Sequence, residues 1–156
     1  MPAFTTTRDD HLIAWLTALA VCIHIVESAL PSPLPGIKPG LANVVTIAVL
    51  LRYGWRVAAW VTLLRVLVGS LLLGTFLSPT FMLSLSGALG GLLALGAAYT
   101  LTTRLPGAEL SALGYSMLAA LAHMASQFYV AYALFIPHPA LLHLLPVLMT
   151  AALLFG

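Results

Sequence analysis

Residues 57–77 form an apolar run whose single charge, Arg65, sits near its middle, and runs of similar character precede and follow it. In hydrocarbon every backbone N–H and C=O must be satisfied internally, so segments of this kind fold as helices or close into a barrel. The runs read as helices, which need roughly 17 to 25 residues to cross. A soluble domain would carry about 25% charged residues, whereas this chain has 6% charged, 62% hydrophobic and a mean hydropathy of +1.08. An arginine at the centre of a spanning helix costs roughly 2.5–3.5 kcal/mol, so Arg65 is expected to face a protein interior and to carry a function.

Proline and glycine punctuation divides the chain into helices over 11–30, 41–53, 56–77, 80–103, 112–136 and 140–155. The breaks fall at Pro31-Ser-Pro-Leu-Pro-Gly36 with Pro39-Gly40, at Tyr53-Gly54, at Ser78-Pro79, at Leu105-Pro-Gly107 and at Pro137-His-Pro139. The expectation is an all-α, polytopic membrane protein of six transmembrane helices, one integral domain over 1–156 with 1–10 as a cytoplasmic stub. The first apolar run follows Arg8, Asp9 and Asp10 and is succeeded by equally apolar runs, which argues against a cleaved leader. Cys22 is the one cysteine, so no internal disulfide is expected. A net charge of +2 gives no reason to expect nucleic acid. Arg8, Arg52, Arg56 and Arg104 fall on one side of the alternating spans and Lys38 on the other, so both termini are expected in the cytoplasm.

The second helix, at about 20 Å, is short for a crossing. The segment 31–40 before it is therefore expected either to dip inward and line a site or to form an ordinary external loop ahead of a tilted helix.

Few polar groups lie within the runs. His24 and Glu27 share a face of the first helix, and a Glu27–Arg65 pair is the simplest way to tolerate both charges, whether as a site or as a structural pair. On the fifth helix Ser116, Ala120, His123 and Gln127 form one stripe, readable as a cavity wall or as interhelical hydrogen-bonding glue. Asn43, Ser84 and Ser86 complete the set, while Gly87, Gly90 and Gly91 are expected to permit close helix packing. Ala14 and Ala18 make a small-residue face on the first helix, turned away from Glu27 and His24. The spacing holds no metal cluster, phosphate loop or nucleophile elbow. His24 and His123 would serve as axial haem ligands only if their helices faced one another at equal depth.

Glu27-Ser-Ala-Leu-Pro, Pro35-Gly-Ile-Lys-Pro-Gly-Leu-Ala-Asn-Val-Val-Thr46, Arg65 with Gly69 and Gly74, Leu83-Ser-Leu-Ser-Gly87, Gly114-Tyr-Ser and Ala122-His-Met-Ala-Ser-Gln127 together resemble the Gx transporter family, also labelled heptaprenyl diphosphate synthase component I. That family is similar to the S components of energy-coupling-factor transporters. The resemblance implies a six-helix bundle of the bacterial inner membrane, with a small organic ligand near the outer face beneath the first loop. By position it implies Glu27, Lys38, Asn43, Arg65, His123 and Gln127 as ligand-binding, and Ala14 and Ala18 as contacts to a membrane coupling subunit with its ATPases. Pro39 and Met124 depart from the family pattern, and Pro146 interrupts the last helix.

The label also implies an alternative, a membrane accessory to a separate prenyl synthase in isoprenoid or quinone metabolism. Prenyl condensation needs aspartate-rich motifs to hold Mg²⁺, and the chain offers only Asp9-Asp10, so a non-catalytic component is expected. Neighbours of some relatives imply extracellular electron transfer, and a quinone- or flavin-related ligand would suit His123, Gln127 and Arg65.

Overall fold

The computed structural model describes residues 8–29, 41–105 and 110–155, and of residues 27–29, 41–43 and 155 the backbone alone. Among the described residues seven α-helices follow one another: α1 Arg8–Ala29, α2 Leu41–Tyr53, α3 Trp55–Leu72, α4 Pro79–Arg104, α5 Ala112–Val130, α6 Pro139–Leu142 and α7 Leu145–Phe155. No strand occurs among the described residues. The all-α, polytopic class therefore stands. Four helical stretches are long and apolar enough to cross a membrane: Arg8–Val26, Trp55–Leu72, Pro79–Arg104 and Ala112–Phe135. Val44–Tyr53 and Pro139–Leu154 are shorter.

Local chemistry sets the helix ends. Asp9 and Asp10 lie in the first turn of α1, where carboxylates meet the positive end of the helix dipole. Ser78 caps α4 by accepting from the Phe81 N–H at 3.3 Å, with Pro79 in the first turn where no amide partner is needed. Ser111 caps α5 in the same way through the Gly114 N–H at 3.2 Å. A single residue, Gly54, joins α2 to α3. Its φ of +82° turns the chain without a Cβ penalty, and its own N–H still bonds the Leu50 carbonyl at 2.9 Å.

Two expected boundaries move. The helix read over 56–77 stops at Leu72, because Gly74 enters the left-handed region at φ +66° and the Thr75 N–H closes back on the Ser70 carbonyl at 2.9 Å. The helix read over 140–155 is two pieces separated at His143 and Leu144; Pro146, lacking an amide hydrogen, sits in the first turn of the second piece. At its far end α5 widens into a π-helical turn over Ala131–Phe135, closed by the Ile136 N–H on the Ala131 carbonyl at 2.9 Å.

The most extensive packing runs between α4 and α5; α1 lies along α3, α2 bridges α3 and α5, and α7 leans on α5. Ala20, Leu50, Ala58, Val61, Leu95 and Ala119 form the core where these helices meet. Outside, the surface is the reverse of a soluble protein's: Trp15 is 78% exposed, Leu93 73% and Leu154 80%, while Arg65 is 8% exposed. Apolar solvent outside and scarce polar groups inside is the arrangement a bilayer demands.

Candidate functional site

Arg65 lies on the buried face of α3 with Ala58, Val61, Thr62 and Gly69. Helical periodicity puts Thr62 one turn before it. From α2, Thr46 reaches across to Thr62, their hydroxyls 3.1 Å apart in a buried hydrogen bond that ties the two helices at this level. From α5 the ring of His123 comes in over α4, where glycines make room for it. A methyl group built on Gly91 would stand 3.7 Å from the His123 Cβ, and one built on Gly87 only 2.6 Å from its Nε2. Arg65 is close enough to His123 for the two to interact electrostatically.

These groups enclose a cleft of about 230 Å³, counting its open mouth, lined by Thr46, Thr62, Arg65 and His123 together with Ala88, Gly91, Leu92 and Leu95 of α4. Its interior has room for about one water-sized group, between one polar wall and one apolar wall. Arg65, His123 and Gly91 all fall near the middle of their helices, so the cleft lies at mid-height of the bundle. A guanidinium, two hydroxyls and an imidazole at that depth can hold an oxyanion or carbonyl oxygen where water is scarce.

Of the residues expected in a site, Arg65 and His123 are brought together. Gln127 is a neighbour rather than a wall: its Cγ packs where a Gly87 side chain would be, at 2.8 Å from the built methyl position. Lys38 lies outside the described residues, as do the side chains of Glu27 and Asn43, and with them the expected Glu27–Arg65 pair and the inward dip of 31–40. His24 packs on Gly69, with its Cδ2 3.1 Å from the built methyl, about one turn beyond Arg65 on α3. Ser86 turns back to the Leu83 carbonyl of its own helix at 2.9 Å. Ala14 and Ala18 are on the exposed side of α1 with Trp15 and Leu19, opposite the buried Thr17, Ala20 and Val21.

Sequence reasoning missed Thr46 and Thr62. Their one visible signal was position: Thr62 is three residues before Arg65 and so shares its face.

A family model described as heptaprenyl diphosphate synthase component I matches residues 16–156. Neither a curated protein nor a solved structure matches the chain.

Proposed function

The chain belongs to the heptaprenyl diphosphate synthase component I family, and on that premise we propose that it is a membrane binding protein for a small organic molecule, which it presents or transports in the manner of an S component. The observation that carries this reading is the convergence of Arg65 and His123, from separate helices, on one cleft beside the Thr46–Thr62 pair. A cation buried at mid-membrane is expensive unless a counter-charge or a ligand's anionic group compensates it. Arg65 anchors the anionic or carbonyl end of the molecule, His123 contacts it from the facing side, and the apolar wall of α4 takes the adjoining carbon skeleton. Glu27, Lys38, Asn43 and Gln127 complete the ligand set, with an isoprenoid, a quinone or a flavin-related compound as the chemical range. The chain performs no catalysis of its own.

The proposed setting is the bacterial inner membrane with both termini in the cytoplasm. Arg8 begins α1, Arg52 ends α2, Arg56 begins α3 and Arg104 ends α4, so alternating helices gather these exposed cations at one end of the bundle, as the positive-inside bias requires.

Protein purified in mild detergent is expected to carry its molecule with it, detectable by ultraviolet–visible absorption and by mass spectrometry of the organic extract. Extracts identical to those of an unrelated membrane protein prepared in parallel would remove the reading.

The family description favours a second reading, in which the same cleft serves a membrane accessory to a separate prenyl synthase. The exposed Ala14–Ala18 face of α1 is where a membrane partner, a coupling subunit or that synthase, would sit closely. Ala18→Leu is expected to lower the yield of such a complex in a pull-down at least several-fold while leaving the bound molecule in place. Unchanged co-purification of the partner would take this face out of the interface. Which enzyme or transporter subunit appears in the pull-down separates the two readings.

A further inference from the structure

Between Arg65 and Arg104 the chain has no Asp, Glu, Lys, Arg or His, and no tryptophan or tyrosine before Tyr99. The turn that joins α3 to α4 falls within that stretch, whereas Lys38, Arg52 with Arg56, Glu109, His138 and His143 mark the other connections. Cationic residues, tryptophan and tyrosine hold helix ends at the level of the headgroups. The opposite ends of the same two helices have them: Trp55 and Arg56 begin α3, and Tyr99 and Arg104 lie in the last turns of α4. From Trp55, α3 runs about 26 Å to Leu72, short of the roughly 30 Å of hydrocarbon even before any tilt.

Irregular backbone is excluded from lipid because its polar groups would go unpaired, and this turn pairs many of its own. The amides of Leu73, Gly74, Thr75 and Ser78 donate to the carbonyls of Gly69, Leu71, Ser70 and Thr75 at 2.9–3.2 Å. The Ser78 hydroxyl donates to the Thr75 carbonyl at 2.6 Å and accepts from the Phe81 amide. Phe76 meets the buried Phe81 with ring centroids 5.0 Å apart, which pins the turn to the start of α4. What remains outside is leucine: Leu71, Leu72, Leu73 and Leu77 are all exposed. Leu77 has φ +62°, a conformation that crowds its Cβ, and is nevertheless held 74% exposed. In water a strained backbone that displays a leucine is unfavourable twice over; against acyl chains the display itself costs nothing.

We propose that the turn between α3 and α4 is inserted in lipid. In the leaflet opposite Arg52, Arg56 and Arg104, Leu72, Leu73 and Leu77 lie among acyl chains beneath the headgroups, so this hairpin is anchored at the headgroup level at one end only.

The full chain with Cys22→Ser, which removes its one cysteine, tests this when given a single new thiol by Leu77→Cys, Leu72→Cys or, as the headgroup-level control, Arg104→Cys. Each variant is labelled with bimane in detergent and reconstituted into vesicles of phosphatidylcholine and phosphatidylglycerol. Three quenchers are compared: a nitroxide on the lipid acyl chain, a nitroxide on the lipid headgroup, and aqueous iodide. At positions 77 and 72 the acyl-chain nitroxide is expected to quench several-fold more than either of the others, and at position 104 the order should reverse. Iodide quenching at 77 and 72 equal to that at 104 would place the turn in water and overturn the proposal. Labels at 77 and 72 shielded from all three quenchers would also overturn it, since protein, a second copy or a partner, would then cover the patch. If Leu77→Cys does not fold, Leu72→Cys decides, because position 72 lies in regular helix and carries no left-handed dihedral.

Discussion

Arg65→Ala is expected to reduce the amount of co-purifying molecule about thirtyfold or more, while the protein still elutes from a sizing column in detergent as one symmetrical peak. Removing one partner of a buried, hydrogen-bonded charge contact costs roughly 2–5 kcal/mol of affinity, and each 1.4 kcal/mol is a factor of ten. The fold is expected to tolerate the change because the bundle's core is centred on Leu50, Val61 and Leu95. Relief from burying a cation offsets part of the packing lost. Arg65→Met, which fills more of the same volume without charge, should lose the molecule to the same extent and keep the peak at least as well. If both variants aggregate, Arg65 is a structural residue and the anchor role is wrong.

Gly90→Leu should do the opposite, breaking the fold before it touches the site. A single methyl on Gly90 already meets the Ser126 Oγ, stands 2.6 Å from the Ser126 Cβ and 3.0 Å from the Ala122 carbonyl, so the obstacle is mostly backbone and the stem of a side chain. Overpacking a well-packed site typically costs about 1–3 kcal/mol, and a leucine here would have to pry α4 from α5 along the bundle's most extensive contact. The expected outcome is a large fall in detergent Tm or loss of monodisperse protein. Gly90→Ala is expected to be milder, and to be partly rescued by Ser126→Gly, since the two positions share one space. A Gly90→Leu protein that melts like the wild type would show that the α4–α5 contact is looser than described.

Much of this architecture was legible in the chain because membrane helices announce themselves by composition and end at proline and glycine. The starts of α2 at Leu41 and of α5 at Ala112 fall where those marks put them. The turn after α3 was not legible. Residues 71–77 are mostly leucine and phenylalanine, and hydropathy cannot separate an apolar helix from an apolar turn; the dihedrals of Gly74 and Leu77 do. The split of the last helical region follows from Pro146, but the sequence alone does not say whether a proline bends a helix or begins a new one.

For the site, scarcity was the useful signal. Arg65 and His123 stood out because so few strong polar groups occur in the runs, and they do meet. The threonines did not stand out, since hydroxyls in apolar helices usually bond a carbonyl of their own turn, as Thr100 does with Ala97 at 2.9 Å. That Thr46 and Thr62 also bond each other is a property of how α2 and α3 are juxtaposed, and no local pattern encodes it.

The one-residue elbow at Gly54 has a consequence for biogenesis. The second helix is too brief to be recognised as a stop by itself, and the third carries a guanidinium that hydrocarbon rejects, so neither is a good client for the insertion machinery alone. Joined by a single residue and tied by the hydrogen bond between Thr46 and Thr62, the two are expected to enter the lipid as one hairpin.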